Sequence, residues 1–201
     1  MKLTKQGEYA LRSLISLGVA HELGREVVPV SELANAERLP LKFAERILST
    51  LREAGYVTAL RGKAGGYRLN KPTDEIVIGE VVRLIDGRLA PIGCASEANY
   101  EPCSCPDEAH CGLRMLMIDV RNAIAGILDR YTLSDIVFVH MKKLLRDGIQ
   151  SPFARSDTPP PSKLMKRGRS ARSRSPADPR DGFLALLIDA ESKEPSKDPR
   201  S

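Results

Sequence analysis

The sequence predicts a mainly α-helical protein with one small β-hairpin, and three observations indicate this fold class. Apolar residues recur at helical spacing after Thr4, two short β-type runs flank a glycine-rich turn at 61–66, and a long apolar helical stripe follows residue 112. With 42% apolar and 28% charged residues, the 201-residue chain suffices for one or two small soluble domains. The predicted order is helices, a hairpin and helices again.

Three helices are expected before the hairpin. The first runs from about Thr4 to Glu22, with its buried stripe at Ala10, Leu11, Leu14, Leu17 and Gly18. A second, short helix follows Ser31 as its N-cap. A third begins after Pro40 and ends at Gly55, a C-cap residue.

The second and third helices, joined by a short turn, form the pattern of a helix-turn-helix. Apolar residues occupy one face of the third helix, at Ala44, Ile47, Leu48 and Leu51. Polar residues share the opposite face, at Lys42, Glu45, Arg46 and Ser49. This polar face is the candidate surface for DNA, and the alternative interpretation is an ordinary solvated helix face.

The hairpin that follows has the properties of a DNA-binding wing. The runs YVTAL and YRL flank RGKAGG, whose glycines can adopt the positive φ that a tight turn needs. Arg61 and Lys63 supply charge for phosphates or a minor groove, while Gly62, Gly65 and Gly66 let the backbone approach DNA closely. A surface turn with incidental charges is the alternative. A nucleotide-binding loop is excluded because the turn leads into a strand.

The positive charge is concentrated at the end of the chain. Residues 151–201 hold 11 Lys and Arg against 7 Asp and Glu, and the other 150 residues hold 20 against 19. From near Ser151 the chain is rich in Pro, Ser and Arg and poor in apolar residues, which predicts a disordered basic tail. Its run Lys166 to Arg174 either binds a polyanion or is a solvated charge run.

All four cysteines lie within eighteen residues, at Cys94, Cys103, Cys105 and Cys111. The longest apolar runs are far shorter than the roughly 20 residues of a membrane helix, and charges near the start argue against a signal peptide. We therefore expect a cytoplasmic protein with no membrane partner, in a compartment that keeps thiols reduced. The cluster indicates a metal site or a thiol switch, and the spacing disfavours the paired cysteines of structural zinc sites.

Several motifs, in this order, carry a resemblance to one family. They are MKLTKQGEYALRSL, LREAGYV, RGKAGGYRL, IGEVVRLIDG, the cysteine loop and TLSDIV. In these motifs the chain, from residue 1 to about 145, resembles the bacterial winged-helix regulators that include IscR, NsrR and RirA. The resemblance implies a homodimeric transcription factor that binds a double-stranded DNA operator and in many members carries an iron–sulfur cluster.

The resemblance also implies roles for particular residues. Contacts to DNA are expected from Lys42, Phe43, Glu45 and Arg46 on the third helix and from Arg61 and its neighbours in the wing, although Phe43 has an alternative interpretation as partial core. Cluster ligands are expected at Cys94, Cys105 and Cys111. The fourth ligand is open among Cys103, His110 and Glu8 of the partner subunit. Arg114 occupies a position where some relatives have a histidine.

A long helix is expected after the cysteine loop. Its apolar stripe consists of Leu113, Leu116, Met117, Val120, Ile124, Ile127, Leu128 and Tyr131. Such a stripe needs a partner, which is either the chain's own winged domain or, as the resemblance favours, a second copy. Ser134 is expected to cap a final helix that runs through Leu145.

These observations predict four regions. Residues 1–90 form the winged helix-turn-helix domain, 91–111 the cluster-binding loop, 112–147 the dimerisation helix with a short helix after it, and 148–201 the tail. The expected function is transcriptional regulation, with DNA affinity controlled by a two-iron or four-iron cluster. The alternatives are a cluster-free regulator that senses thiol oxidation and an electron-carrying iron–sulfur protein. Neither an enzyme nor a small-molecule substrate is expected, because no nucleophile–base constellation is visible.

Overall fold

A computed structural model describes residues 2–62, 64–87 and 89–154. The α-helices in these residues are α1 (Lys5–Glu22), α2 (Val30–Glu37), α3 (Leu41–Glu53), α4 (Ile78–Asp86), α5 (Gly112–Leu128) and α6 (Leu133–Arg146). The strands β1 (Val57–Leu60) and β2 (Gly66–Leu69) form one antiparallel hairpin, and Gly93–Ala95 forms a 3₁₀ turn. The predicted fold class, mainly helical with a small β wing, is confirmed.

Helix α1 lies at the centre of the core. Its apolar stripe includes Ala10, Leu14 and Leu17, all buried, and it packs against α3, α4 and α6. Thr4 caps the helix by accepting a hydrogen bond from the Gly7 N–H at 3.0 Å, and its own N–H donates to Asp86 Oδ2 at 3.0 Å. The bounds predicted for this helix are therefore confirmed, and its N-terminus is tied to the end of α4.

Helices α2 and α3 form the predicted helix-turn-helix. Between them Arg38 has a left-handed backbone with φ of 55°, and Leu39 is buried with Ala34 and Ala44 in a small cluster. The prediction that Ser31 caps α2 is wrong, because the helix already begins at Val30 after Pro29. Proline fixes φ near the helical value and has no N–H to satisfy, so the chain can enter α2 without a side-chain cap.

The hairpin begins directly behind α3. Gly55 has φ of 77° and reverses the chain after Ala54, close to the predicted helix end, and Val57 pairs with Leu69 in the predicted strands. The outer edge of β2 pairs with the segment before α2, because Tyr67 and Val28 exchange two backbone hydrogen bonds of 2.9 Å. The wing is thus joined to the domain through a third, strand-like contact.

The second half of the described chain is built from α4, α5 and α6. Backbone hydrogen bonds from Ile78 N to Tyr131 O and from Leu133 N to Ile76 O fasten the α5–α6 junction to the start of α4. The prediction that Ser134 caps the final helix is wrong. Thr132 is the N-cap, and it forms a capping box with Asp135, so Ser134 lies inside the first turn.

The chain turns back onto the helices after α6. Phe153 is 2% exposed and belongs to the main core, and its N–H donates to Ser151 Oγ at 3.2 Å. The tail predicted from near Ser151 therefore starts with packed residues as far as Ala154, and its remainder, with the basic run, lies outside the described residues. Among the helices that the structure describes, none combines the length and apolarity that crossing a bilayer requires.

Candidate nucleic-acid interface and cysteine loop

The outer face of α3 is exposed as the sequence predicts. Ala44, Ile47, Leu48 and Leu51 are fully buried. Lys42, Glu45 and Arg46 on the other face are exposed, and no ion pair joins any of them to another described residue. Such a helix offers two cations and one carboxylate, groups that can contact phosphates and base edges in a major groove.

Phe43 has a structural role of its own. Its ring is half-buried and meets the ring of Tyr9 edge to face, with centroids 5.6 Å apart. Arg12 in turn lies over the Tyr9 ring, 5.1 Å from its centroid. The structure therefore agrees with the interpretation of Phe43 as partial core that orients the start of α3 against α1, and contact with DNA stays a prediction for this residue.

The wing is tied to the end of α3 by Asn70. Its side chain accepts from Thr58 Oγ1 at 2.9 Å and donates to Gly55 O at 3.1 Å, and its N–H donates to Tyr56 O at 2.9 Å. Arg61, at the start of the turn, is exposed, whereas Lys63 lies outside the described residues. The hairpin is therefore held at a set angle to α3 by its base.

The three glycines of the turn serve different purposes. Gly62 needs its positive φ of 104°, and a Cβ there would meet open space. A Cβ at Gly65 would collide with the Leu60 carbonyl, and one at Gly66 with the Val28 carbonyl. Gly65 and Gly66 are thus required by packing within the chain, a reason that the sequence did not indicate, and their approach to DNA stays a prediction.

The cysteine loop joins α4 to α5 and brings all four thiols together. Cys94 is buried in the 3₁₀ turn, Cys103 and Cys111 are half-buried, Cys105 is exposed, and all four are free thiols. Cys111 is the N-cap residue of α5. The loop between these points is irregular, so the position of each thiol depends on contacts of the loop rather than on a helix or strand.

The thiols influence one another's pKa values. Cys103 raises the pKa of both Cys94 and Cys105, and Cys111 also raises that of Cys105. Burial, followed by the Cys103 contact, raises the pKa of Cys94 above its ordinary value. The hydrogen bond with Cys103 is the main cause that raises the pKa of Cys105 to about 12. Closely spaced thiols thus disfavour charge on each other.

The donor chemistry of this loop fits an iron–sulfur cluster, although the ligands do not surround a single point. Within the residues that the structure describes, no three His, Cys, Asp or Glu side chains form a group able to hold one metal ion. Four free sulfur donors along one irregular loop are nevertheless the soft ligand set that iron–sulfur clusters select. The residues suited to hold such a group are Cys94, Cys103, Cys105 and Cys111.

The two other candidates for the fourth ligand have partners in the chain. The His110 ring is 84% exposed, and its Nδ1 lies 2.8 Å from Asp107 Oδ2. Glu8 accepts from Lys5 Nζ at 2.9 Å on the exposed side of α1. That hydrogen bond is the main cause that lowers the pKa of Glu8 below its ordinary value. Ligation by either residue stays a prediction.

Two arginines of α5 hold the cysteine loop, and the sequence analysis did not find this role. Arg114 donates to Cys94 O at 2.9 Å, and Arg121 donates to Ala95 O at 2.8 Å. Glu108 supports the same region, since it accepts from Tyr100 Oη at 2.7 and 2.8 Å and lies 3.7 Å from Cys103 Sγ. Two arginines seven residues apart on a mainly apolar helix were the available signal.

Helix α5 leaves its apolar stripe uncovered. None of its residues is buried, and the exposed members of the helix include Leu113, Met115, Leu116 and Ile127, each more than half exposed. Ala125 and Leu128, near the end of the helix, pack against the main core. Within the described residues the stripe is therefore covered only in part, and Leu113, Leu116 and Ile127 stay exposed.

Known proteins share this sequence and fold. The model of the Rrf2 family, described as an iron-dependent transcriptional regulator, matches residues 3–138. An rrf2-like HTH-type transcriptional regulator of Rhodobacter capsulatus is 37% identical over 137 residues, 67% of this chain and 91% of that protein. NsrR of Bacillus licheniformis, an HTH-type transcriptional regulator, is 33% identical over 72% of this chain and 99% of its own length.

A solved structure extends the similarity to the fold. CymR, the global cysteine regulator of B. subtilis, superposes with a TM-score of 0.54 at 29% identity, over 68% of this chain and 96% of that chain. The family model covers the helix-turn-helix, the wing, the cysteine loop, α5 and the start of α6. The chain therefore belongs to the Rrf2 family and is a DNA-binding transcriptional regulator.

Proposed function

We propose that this protein is a homodimeric, sequence-specific transcriptional regulator whose affinity for its operator depends on an iron–sulfur cluster. The observation that carries the proposal is the presence of four free thiols on one irregular loop, within 18 positions of sequence that end at the N-cap of α5. A cluster bound there lies between the winged domain and the helix expected to join two copies. Its state can then bias the separation of two recognition helices.

The DNA contacts are assigned to α3 and the wing. Lys42, Glu45 and Arg46 are exposed on one face of α3, and Asn70 holds the wing to the end of this helix. A helix of this kind reads base edges in a major groove, and a basic turn reaches the neighbouring backbone or minor groove. Gly62, Gly65 and Gly66 shape that turn, and Arg61 and Lys63 carry its charge.

The cluster is assigned to Cys94, Cys105 and Cys111, with Cys103 as the fourth thiol in contact. A bound iron–sulfur cluster supplies a redox-active, iron-dependent group that oxidants or nitric oxide can alter. The chain's part is to present thiolates from one loop and to convey the position of that loop to α5. The apolar stripe of α5 favours a second copy as the partner, because two-fold symmetric binding suits paired operator half-sites.

The cluster is tested by anaerobic purification of the full chain followed by ultraviolet–visible spectroscopy and assays of iron and sulfide. The expected result is charge-transfer absorption that is lost when Cys94, Cys105 or Cys111 is replaced by Ser. The variant Cys103→Ser decides whether the fourth thiol is a ligand. A protein without iron and sulfide under these conditions contradicts the cluster.

The DNA interface is tested with an operator selected from a random duplex library by the wild-type protein. Fluorescence anisotropy is expected to show an increase in Kd of roughly tenfold for Lys42→Ala or Arg46→Ala, since a good base or phosphate contact contributes about 1–3 kcal/mol. Lys143→Ala is the matched control, because Lys143 is an exposed lysine on α6. Equal affinities for all three variants contradict the assignment of α3.

A cluster-free thiol switch is the second candidate function. The observation that favours it is that Cys103 raises the pKa of both Cys94 and Cys105, thiols of the same loop, together with the similarity to CymR, a cysteine regulator. Two thiols would lose two protons and two electrons to a peroxide, which is reduced to water while a disulfide forms. This function is supported instead if the wild-type protein is colourless and its mass falls by two hydrogens on peroxide treatment. The Cys103→Ser variant should then show no such loss of mass.

A further inference from the structure

The attachment of the cysteine loop to α5 is made by two arginines on one face of the helix. Arg114 and Arg121 are seven residues apart, two helical turns, so their side chains lie one above the other. They donate to the backbone carbonyls of Cys94 and Ala95, which are consecutive residues of the 3₁₀ turn. Both arginines therefore hold the same short piece of loop.

Each arginine also pairs with a carboxylate of the loop. Arg114 Nε lies 3.2 Å from Glu108 Oε1, and Arg121 Nη2 lies 2.9 Å from Glu97 Oε1. The planar guanidinium presents several donors in a fixed arrangement, so one arginine can hold a carbonyl and a carboxylate at once. The two side chains thus bind the loop on both sides of its irregular stretch, after Cys94 and before Cys111.

Both arginines are at least partly buried. The Arg114 side chain is 32% exposed and the Arg121 side chain 13%, whereas Leu116 on the same helix is 56% exposed. Polar contacts to backbone carbonyls therefore contribute to fixing the loop to the helix. Because the contacts to residues 94 and 95 go to backbone carbonyls, any shift of the buried Cys94 moves an acceptor that α5 holds directly.

We propose that Arg114 and Arg121 form an arginine latch, a pair of positioning residues that transmits the arrangement of the thiols to α5. The inference rests on the proposed function, since it concerns how the state of the thiol loop reaches the dimerisation helix. Cys103 is connected to the same latch, because Glu108 lies 3.7 Å from its sulfur and pairs with Arg114. Cys94 and Cys103 are thereby both connected to one helix.

The first experiment tests whether the arginines hold the loop, and it uses full-length protein without iron. Iodoacetamide alkylation of Cys94 is followed by mass spectrometry of its peptide. We expect about tenfold faster modification in Arg121→Gln than in wild type, and an intermediate rate in Arg121→Lys, which keeps the charge but loses the fork of donors. The control is Arg130→Gln, because Arg130 is an exposed arginine just after the same helix. If Cys94 in Arg121→Gln is alkylated at the wild-type rate, Arg121 does not hold the loop.

The transmission is measured as the ratio of operator Kd between cluster-loaded and cluster-free protein. In Arg114→Gln and Arg121→Gln we expect the iron and sulfide content of wild type and a ratio at least about fivefold closer to one. If the Gln variants have the same ratio as wild type, the latch is contradicted and the proposed function is not. If the ratio is one in the wild-type protein itself, the proposed function is contradicted, and the transmission with it. Where a Gln variant does not fold, the Lys variant at that position is measured instead.

Discussion

Helices α1 and α5 are of nearly equal length, yet they are stabilised in opposite ways. Of its 18 residues α1 buries nine, whereas α5 buries none of its 17. Helix α1 has apolar partners on α3, α4 and α6, while α5 is held to the chain mainly by its last turn and by the arginine latch. The first helix has its core within one chain, and the second exposes apolar side chains that the described residues do not cover.

This difference separates two tasks of a regulator. A DNA-reading surface has to keep the geometry of α3 and the wing constant, which a dense core does well. A sensing region has to change position when its chemistry changes, and low-stability, poorly buried elements are suited to that. The cysteine loop and α5 have this property among the described residues, with irregular backbone, polar attachment and exposed apolar side chains.

The largest expected effect comes from removing a core side chain of the winged domain. Leu48 is 0% exposed, so Leu48→Ala should lower the free energy of unfolding by about 2–5 kcal/mol through lost burial and a residual cavity. Urea unfolding followed by circular dichroism measures the change. The matched variant is Leu116→Ala on α5, where 56% exposure predicts less than about 1 kcal/mol for the dissociated chain. Equal losses at both positions would remove the contrast between the regions.

The next effect concerns the partner of α5. The variant Leu116→Glu places a charge in the apolar stripe, and we expect the dimer dissociation constant to rise about 100-fold, which corresponds to about 2.7 kcal/mol. Sedimentation velocity over a range of concentrations measures it. Asn122→Glu is the control, because Asn122 is exposed and lies about 120° around the helix from Leu116, on the side away from the stripe. A variant that dimerises like wild type would assign the stripe to another partner.

Much of the winged domain could be predicted because its signals are local. Pro40 and Gly55 bracket α3, and the alternation of short β runs around a glycine turn indicates the hairpin. The helix starts were harder, because polar residues near a start compete for the cap. Ser134 looked suitable, but Thr132 with Asp135 satisfies two donors instead of one.

The candidate site was less predictable because its geometry depends on contacts distant in sequence. The cysteine positions are visible in the sequence, but contact between Arg114 and the carbonyl of Cys94 spans twenty residues of irregular loop. Such a contact leaves no periodic pattern in the sequence. The burial of Phe153 could not be predicted for the same reason, because the residues around it come from elements far away in the chain.

A smaller effect, opposite in sign between the regions, is expected from replacing glycines by alanine. Gly66→Ala should destabilise by about 1–3 kcal/mol, because the added Cβ meets the Val28 backbone in the wing. Gly126→Ala in α5 should stabilise by about 0.5–1 kcal/mol, because the helix interior favours alanine and nothing lies near the new Cβ. Thermal unfolding of both variants compares them. Destabilisation by Gly126→Ala would indicate that this side of α5 is covered in the dimer.

The smallest effect is electrostatic and belongs to the winged domain. Arg25 pairs with Glu32 in the first turn of α2, with an Nη2–Oε2 distance of 2.7 Å, and this hydrogen bond lowers the pKa of Glu32 below its ordinary value of 4.5. A carboxyl whose pKa is lowered by folding adds stability above pH 4.5, and this stability is lost as the pH falls through the folded value. Because the pair is partly exposed, we expect at most about 1 kcal/mol.

The measurement compares urea unfolding of wild type and Glu32→Gln at pH 7 and at pH 3. We expect wild type to be more stable at pH 7 and the difference to shrink at pH 3, because the pH then falls below the ordinary value of 4.5 toward the lowered pKa of Glu32. Glu26→Gln is the control, because Glu26 is an exposed carboxylate in the same loop. Dimer dissociation should not follow this titration, since the pair lies far in sequence from α5 and joins two parts of the winged domain. A parallel loss of dimerisation would mean that the two regions are coupled through α2.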